Sequence, residues 1–219
     1  MKEKKAVESK DPPLTPRNKI LLIASQLFYR EGFHSVGIDR IVAESGVAKM
    51  TLYKHFPSKE ELIVAYLNSS HEFFLRWLEN TVASKEGPKD KLLAVFKGIE
   101  LLASSPQCLG CTFQSGAAEF PDPKHPIHQV SNSHKLSVIK LFTTWTQEAQ
   151  LARPEILAQQ LLLLMDGAWV AIRMFGVHSS ARHVLGAAEV LINGHPPQRD
   201  DSPMGEELKT SFAVNQTAP

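Results

Sequence analysis

Residues 32–59 constrain the fold more than any other part of the chain. Their pattern predicts two short helices, at 38–45 and 48–55, joined by a turn at Gly46 and stopped by the Phe-Pro step that follows. Two short helices joined by a tight glycine-containing turn are typical of the helix-turn-helix motif, whose second helix enters the major groove of DNA. The stretch therefore predicts DNA binding rather than catalysis.

A further helix precedes this motif and supplies part of its core. Thr15 and Pro16 begin that helix with a hydroxyl N-cap and a proline at the first helical position, and Gly32 ends it. Its apolar side chains recur at spacings of three and four, so one face needs a partner. The motif supplies that partner, which predicts a small three-helix core, through Phe33, Ile38, Ile41, Val42, Val47, Leu52 and Phe56.

The outer face of the second short helix carries polar and basic side chains once these core positions are set aside. Lysines can bond guanine edges or phosphates, hydroxyls suit phosphate oxygens, and a methionine can contact a thymine methyl group. Ser58 and Glu61 form a capping box, so another helix begins at once, and its first amides can bind a phosphate. The predicted DNA-binding residues are Lys49, Met50, Thr51, Tyr53, Lys54, His55 and Lys59.

Short motifs follow one another at fixed spacing between residues 17 and 66: Ala24 with Leu27 and Phe28, Gly32-Phe33, Ile41-Val42, and the stretches 45–48, 51–56 and 58–62. In this order they resemble the DNA-binding segment of the TetR family of bacterial transcriptional regulators. The resemblance implies an all-α fold with an N-terminal three-helix helix-turn-helix domain and a C-terminal helical domain for ligand binding and dimerisation. It also implies a homodimer that binds a palindromic operator, represses transcription and is released by a small organic effector.

The resemblance assigns roles within the recognition helix and also exposes departures from the family pattern. It implies base contacts from Lys49, Met50 and Tyr53, and phosphate contacts from Thr51, Tyr53, His55 and Lys59. Val36 and Gly37 stand where the family usually has hydroxyl residues, and Ala48 replaces a frequent serine. Because a glycine N-cap costs only about a few tenths of a kcal/mol relative to serine, we expect the affinity for DNA, rather than the fold, to be affected.

Further helices are predicted in the rest of the chain, at 58–82, 89–104, 124–150, 155–175 and 182–192. The last two are too apolar for one subunit, which predicts a homodimer through residues 155–192, with a four-helix interface. The expected domain organisation is a disordered tail at 1–14, a DNA-binding domain at 15–62, an effector-binding and dimerisation domain at 63–193, and a disordered tail at 194–219.

Aromatic rings in the C-terminal region, with one histidine among them, are the candidates for an effector site. Such residues suit an apolar organic ligand, because rings supply contact area and a lone polar group supplies orientation. The candidate effector-binding residues are Trp77, Phe96, Phe113, His134, Trp145 and Trp169.

Cys108 and Cys111 form a C-x-x-C pair, and His125 and His128 follow as H-x-x-H. Three interpretations stay open: a zinc site, a redox-sensing thiol pair, and cysteines with a structural role. The histidines flank a proline at a predicted helix start, which is unfavourable for a zinc site. The stretch around Cys111 is similar to one found in a branch of TetR-like regulators, which favours a structural role for that cysteine. A regulator that senses redox state through both thiols is the alternative function.

Charge and composition narrow the class of protein. Residues 1–59 contain 11 Lys and Arg against 6 Asp and Glu, whereas the remainder is net acidic, so the basic end suits phosphates. No catalytic triad, carboxylate pair or phosphate-binding glycine loop is present in the sequence, so we do not expect an enzyme, a metal or a cofactor. The opening residues lack the apolar core of a signal peptide, and no long uninterrupted apolar run occurs. We therefore expect a cytoplasmic protein without a membrane partner.

Overall fold

The structure is a computed structural model and describes residues 14–197. Within that part the regular secondary structure is helical, apart from one isolated bridge between Leu151 and Pro197, which confirms the predicted all-α fold class. The helices are α1 (Pro16–Glu31), α2 (Ile38–Ser45), α3 (Lys49–His55), α4 (Lys59–Val82), α5 (Pro88–Leu102), α6 (Thr112–Glu119), α7 (Pro126–Glu148), α8 (Pro154–Phe175) and α9 (Val184–Asn193). The tails expected at 1–14 and 194–219 lie almost wholly outside the described residues.

Local chemistry accounts for the helix boundaries around the motif. The Thr15 hydroxyl accepts a hydrogen bond from the Asn18 amide at 3.3 Å, and the Ser58 hydroxyl accepts one from the Glu61 amide at 3.1 Å. Gly37 precedes α2 without a side-chain cap, as its sequence implies. These bonds satisfy amides that the first turn of a helix leaves without partners.

The N-terminal core is formed by α1 to α3, the first half of α4, and single residues of α6 and α7. Val36 is completely buried in it, although its position lacks the hydroxyl that the family pattern places there. The core extends past residue 62, so the domain boundary expected there stays a prediction. Its buried members include Ile20, Leu27, Phe28, Phe33, Ile41, Leu52, Phe56, Leu62, Tyr66, Leu67, Phe113 and Ile127.

The second core lies in the C-terminal bundle, between α5, α7, α8, α9 and the end of α4. Its buried members include Leu78, Leu92, Phe96, Ile99, Phe142, Trp145, Leu161, Met165, Ala188 and Ile192. The helices α4 and α7 contribute to both cores, because their first halves pack on the DNA-binding helices and their second halves pack in the bundle. The helices α4 and α7 therefore connect the two cores.

Candidate DNA-binding surface and effector cavity

The recognition helix α3 presents its predicted contact residues on the surface. Leu52 is completely buried and Phe56 lies just beyond the helix in the core, which fixes the rotation of α3 and turns its other face outward. Met50 is 80% exposed and Tyr53 is 39% exposed, so neither is needed for packing. Lys49 and Lys54 are also exposed, whereas Thr51 and His55 are half-buried at the sides of the helix.

Lys49 is paired with an acidic residue of the preceding helix. Its Nζ lies 2.6 Å from Asp39 Oδ1, and this hydrogen bond raises the pKa of the Lys49 ammonium. Both side chains are largely exposed, so the pair contributes little to stability. We therefore expect that a DNA phosphate or guanine edge can replace the carboxylate, and the DNA contact of Lys49 stays a prediction.

Lys59, which the sequence analysis predicts to contact a phosphate, is half-buried. Its Nζ lies 3.4 Å from the carbonyl oxygen of His34, and burial lowers the pKa of this ammonium while the nearby Glu119 opposes the shift. The side chain thus lies at the loop between α1 and α2. A phosphate contact by Lys59 stays a prediction.

Arg17 adds a cation near α3 that the helix-turn-helix pattern does not single out. Its guanidinium carbon lies 5.1 Å from the centre of the Phe56 ring, at the C-terminal end of the recognition helix. A cation over an aromatic face is attracted by the ring, which keeps Arg17 close to α3. Arg17 is therefore a further candidate for a phosphate contact.

A cavity of about 1270 Å³ lies between α1, α4, the loop from α5 to α6, α7 and α8. Four of the six predicted effector residues line it: Trp77, Phe113, His134 and Trp169. Phe96 and Trp145 do not line it, since both are buried in the C-terminal core. Aromatic character alone does not separate a cavity wall from a packed core.

The helix α1 forms one wall of the cavity, which the sequence does not predict. Leu21, Leu22, Ser25 and Tyr29 line it from the DNA-binding side. Leu22 lies outside the apolar stripe of α1 and is exposed. An apolar residue outside the stripe is the feature of the sequence that could have indicated that α1 lines a cavity. A ligand in the cavity would contact the DNA-binding domain directly.

A pair of histidines lies beside the cavity. The Nδ1 atoms of His71 and His134 are 2.9 Å apart, and the His134 ring stacks on Phe113 with its centre 3.6 Å away. Burial, with Lys135 and His71 nearby, lowers the pKa of His134 to about 3. The His134 ring is therefore neutral near pH 7 and can offer a hydrogen bond without a charge.

Tyr29 joins α1 to the loop between α5 and α6. Its hydroxyl accepts a hydrogen bond from the Leu109 amide at 2.7 Å and donates one to the Gly110 carbonyl at 3.3 Å. Burial, with Cys108 nearby, raises the pKa of this phenol to about 12, so it remains protonated and able to donate. On the other side, Arg173 of α8 donates to the Tyr29 carbonyl at 3.3 Å.

The hydrogen bonds of Tyr29 with residues 109 and 110 form a joint between α1 and this loop. Glycine is required at position 110 of the joint for two reasons. Its φ is +90°, and a Cβ atom there would lie 2.7 Å from the backbone oxygen of Trp169. Any other residue would clash with α8 and strain the loop. The loop is thus held in close contact with both α1 and α8.

Glu119, the last residue of α6, forms a second joint with the DNA-binding domain. Its carboxylate accepts hydrogen bonds from the amides of Phe33 and His34 at 2.9 and 2.7 Å. Gly32 permits this approach, because a Cβ at that position would lie 2.9 Å from Glu119 Oε1 and its φ is +85°. Glu119 therefore ties the C-terminal domain to the loop that precedes α2.

The four residues of the C-x-x-C and H-x-x-H motifs occupy different environments. Cys108 and Cys111 are free thiols that both line the cavity. His125 caps α7 by accepting from the Ile127 amide at 3.3 Å, and His128 Nδ1 lies 2.9 Å from the Phe120 carbonyl. Across residues 14–197 no group of three or more His, Cys, Asp and Glu side chains is arranged to hold a metal ion.

Known proteins share the motif and the whole fold. Residues 20–66 match the family model for bacterial regulatory proteins of the tetR family. The structure of SCO4454, a TetR-family transcriptional regulator from Streptomyces coelicolor, superimposes with a TM-score of 0.78 at 32% identity, covering 82% of this chain and 95% of that one. A putative TetR regulator from Streptomyces avermitilis, sav143, gives 0.77 at 26% identity, covering 84% of this chain and all of the other.

A relative from Bacillus subtilis, the HTH-type transcriptional regulator LmrA, is 33% identical over 82 residues. That match covers 37% of this chain and 44% of LmrA. The chain thus aligns with less than half of the length of this relative, although it aligns with almost all of SCO4454.

The fold and the exposed recognition helix define a helix-turn-helix DNA-binding protein that regulates transcription, not an enzyme. The chain belongs to the TetR family of bacterial transcriptional regulators. The predictions of the family and of the class of protein are thereby confirmed.

Proposed function

We propose that the protein is a cytoplasmic repressor that binds a palindromic operator as a homodimer and leaves it when a small apolar effector enters the cavity. The observation that carries this proposal is the composition of the cavity wall. The same cavity is lined by Tyr29 of the DNA-binding domain and by Trp169 of α8. A ligand there would contact both the element that places α3 and the helix proposed for dimerisation.

An exposed apolar stripe on α8 and α9 supports the homodimer. Leu163 is 74% exposed and Val190 is 72% exposed, and a Cβ added at Gly167 or Gly186 would meet nothing within 4 Å. Small residues among exposed apolar ones let two helices approach closely, and a second copy can cover the stripe in a two-fold interface. The other exposed apolar residues of α8 are Ile156, Val170, Met174 and Phe175.

The same stripe accounts for the membrane-like composition of α8. The stretch Pro154–His178 is long and apolar enough to cross a membrane by length and composition, with a mean hydropathy of 1.4. A core helix passes the same test, and TetR-family regulators are soluble DNA-binding proteins. We therefore attribute the apolar surface to a subunit interface rather than to lipid.

A two-fold dimer implies a two-fold operator. The two copies of α3 would enter successive major grooves on one side of the duplex, with half-site centres about one helical turn apart or a little more. This spacing is sensitive to the angle between the subunits. A change of angle would thus separate the recognition helices from their grooves.

Effector release is supported by the two joints between the domains. A molecule between α1 and α8 would act on the contact of Tyr29 with Leu109. If it also displaced α6, it would act on the contact of Glu119 with the Phe33 amide. The effector must prefer the conformation that does not bind DNA, since otherwise it cannot shift the equilibrium. By linkage, operator DNA must weaken effector binding by the same factor.

Replacing Glu119 by alanine should weaken the second joint. We expect the free energy of unfolding to fall by about 1.5 to 3 kcal/mol, because the substitution removes a charged acceptor from two backbone amides. Urea denaturation followed by circular dichroism measures the change. The control is Glu79→Ala, an exposed residue of α4. Equal stability of the two variants would show that the Glu119 contact contributes nothing.

A thiol-sensing regulator remains the second candidate, because Cys108 and Cys111 line the same cavity on either side of the Leu109 and Gly110 backbone held by Tyr29. A disulfide between these cysteines would act on that joint. The leading proposal predicts equal operator affinity in dithiothreitol and in diamide, measured by fluorescence anisotropy. Loss of binding in diamide that is absent from Cys108→Ser would favour the thiol sensor instead.

A further inference from the structure

We propose that the cavity receives an uncharged organic molecule with an apolar body and one hydrogen-bonding group, such as a phenol or an alcohol. His134 bonds that group, and His71 holds the His134 ring in position. This inference rests on the effector site of the proposed function and deepens it by naming the chemistry of the ligand.

The scarcity of charged side chains in the cavity wall disfavours an ionic ligand. Among the described residues that line the cavity there is no Lys, Asp or Glu, and the only charged side chain is Arg30. Arg30 lies on α1 and is exposed, so it belongs to the mouth of the cavity rather than to its interior. Away from Arg30 at the mouth, an ion that loses its water in such a site finds no opposite charge, which makes its burial costly.

Apolar side chains form a large part of the wall and of the edge of the cavity. Phe74, Trp77 and Met165 contribute to the wall, and Leu22 and Phe73 are exposed apolar residues at its edge. The volume of about 1270 Å³ is ample for a small organic ligand, since such sites commonly occupy about 300 to 1000 Å³. An alkyl chain or an aromatic ring can therefore enter and be covered without losing polar contacts.

Most hydroxyl groups of the wall already have partners. Ser70 donates to the Tyr66 carbonyl at 2.9 Å, and Ser25 donates to the Leu21 carbonyl at 2.6 Å. The Tyr29 hydroxyl is engaged with the loop between α5 and α6. These groups are less available to a ligand, because a new bond would compete with an existing one.

His134 keeps one ring nitrogen for a ligand. Its Nδ1 is paired with His71, whereas its Nε2 has no hydrogen-bond partner within residues 14–197. In that part of the chain two side-chain atoms, Gln160 Oε1 and Ser179 Oγ, are fully buried without a partner. His134 Nε2 is not one of them, so this unpaired atom is not completely buried. His134 lines the cavity, and Nε2 is its polar ring atom without a partner in the described residues, so we assign the ligand contact to Nε2.

The surroundings of His134 fix the plane of its ring. Phe113 stacks on one face at an angle of 8°, and Phe74 meets the ring edge-on with centres 5.0 Å apart. In the Nδ1 contact with His71 either ring can be the donor, and a hydroxyl ligand can serve either tautomer of His134 by donating to Nε2 or accepting from it. His71 is thus a positioning residue, and His134 is the proposed contact.

Four matched probes test this assignment on the full chain without DNA: 4-pentylphenol, 4-pentylbenzoate, 4-pentylbenzylamine and pentylbenzene. Quenching of tryptophan fluorescence measures their affinities at pH 7, since Trp77 and Trp169 line the cavity. We expect the neutral phenol to bind at least about tenfold more tightly than the anion or the cation. Equal binding of either ion, or no binding by any probe, would overturn the proposal.

Two variants test the role of His134. His134→Phe should weaken binding of 4-pentylphenol about fivefold and leave pentylbenzene unchanged, because only the phenol loses a hydrogen bond. His134→Gln, which restores a polar group, should recover part of the phenol affinity. An equal loss for both probes in His134→Phe, with no recovery in His134→Gln, would contradict the assignment.

Operator release is measured separately, by adding 4-pentylphenol to the protein bound to DNA. Binding of the phenol without release would leave the ligand assignment intact and contradict effector release as proposed. Release by the benzoate rather than the phenol would support effector release and overturn the ligand assignment.

Discussion

Tyr53→Ala is expected to weaken operator binding by about 1 to 3 kcal/mol for each half-site, because it removes a side chain that the recognition helix presents to the bases. Tyr53 is exposed and outside the core, so stability should stay unchanged. Fluorescence anisotropy with an operator selected from a random pool of duplexes measures the affinity. Lys49→Ala should have a similar effect, since its ion pair with Asp39 is exposed and exchangeable.

The matched control for Lys49→Ala is Lys140→Ala, which removes an exposed lysine of α7, far along the chain from α3. We expect the control to bind the operator like the unchanged protein. If Tyr53→Ala and Lys49→Ala also bind like the unchanged protein, the recognition face is assigned to the wrong residues. The salt dependence of binding would separate base contacts from phosphate contacts. The loss of one phosphate contact lowers the slope of log K against log salt concentration by about 1.

Leu163→Glu is expected to convert the homodimer into monomers and to weaken operator binding by more than about 100-fold. The substitution places a charge in the centre of the apolar stripe of α8, where two copies would bring like charges together. Separate monomers also lose the gain from binding two linked half-sites, which amounts to about 100- to 10,000-fold. Analytical ultracentrifugation at micromolar concentration measures the change in mass.

Leu101→Glu is the matched control for the dimer. Leu101 is 64% exposed on α5, outside the stripe of α8 and α9, so its replacement should leave the dimer intact. The same mass for both variants would contradict the proposed interface, as would an unchanged protein that is monomeric at micromolar concentration.

The helix boundaries follow from the sequence because caps and helix stops act within a few residues. Thr15 and Ser58 are such caps, and both make the bonds expected of them. The helix predicted at 124–150 spans Pro126–Glu148, and the helix predicted at 155–175 spans Pro154–Phe175. The outward face of α3 can be predicted for the same reason, because the buried positions of a short helix determine which of its residues face outward.

The cavity could be predicted only in part, because its wall joins distant segments of the chain. Trp169 and Phe113 are found by residue type, but the same criterion selects Phe96, which is completely buried in the bundle. Tyr29 reaches the cavity through a contact with Leu109, 80 residues away, that no local pattern encodes. Likewise Glu119 lies near Lys59 and opposes the lowering of its pKa, an influence that no local pattern encodes.

Hydroxyl-radical footprinting of the selected operator tests the central claim most directly. A dimer with two recognition helices predicts protected patches on both strands, related by a two-fold axis, with half-site centres about one helical turn apart or a little more. Addition of a ligand that fills the cavity should remove both patches together. A single or asymmetric patch, or protection that persists when the cavity is filled, would contradict the account of a dimeric, effector-released repressor.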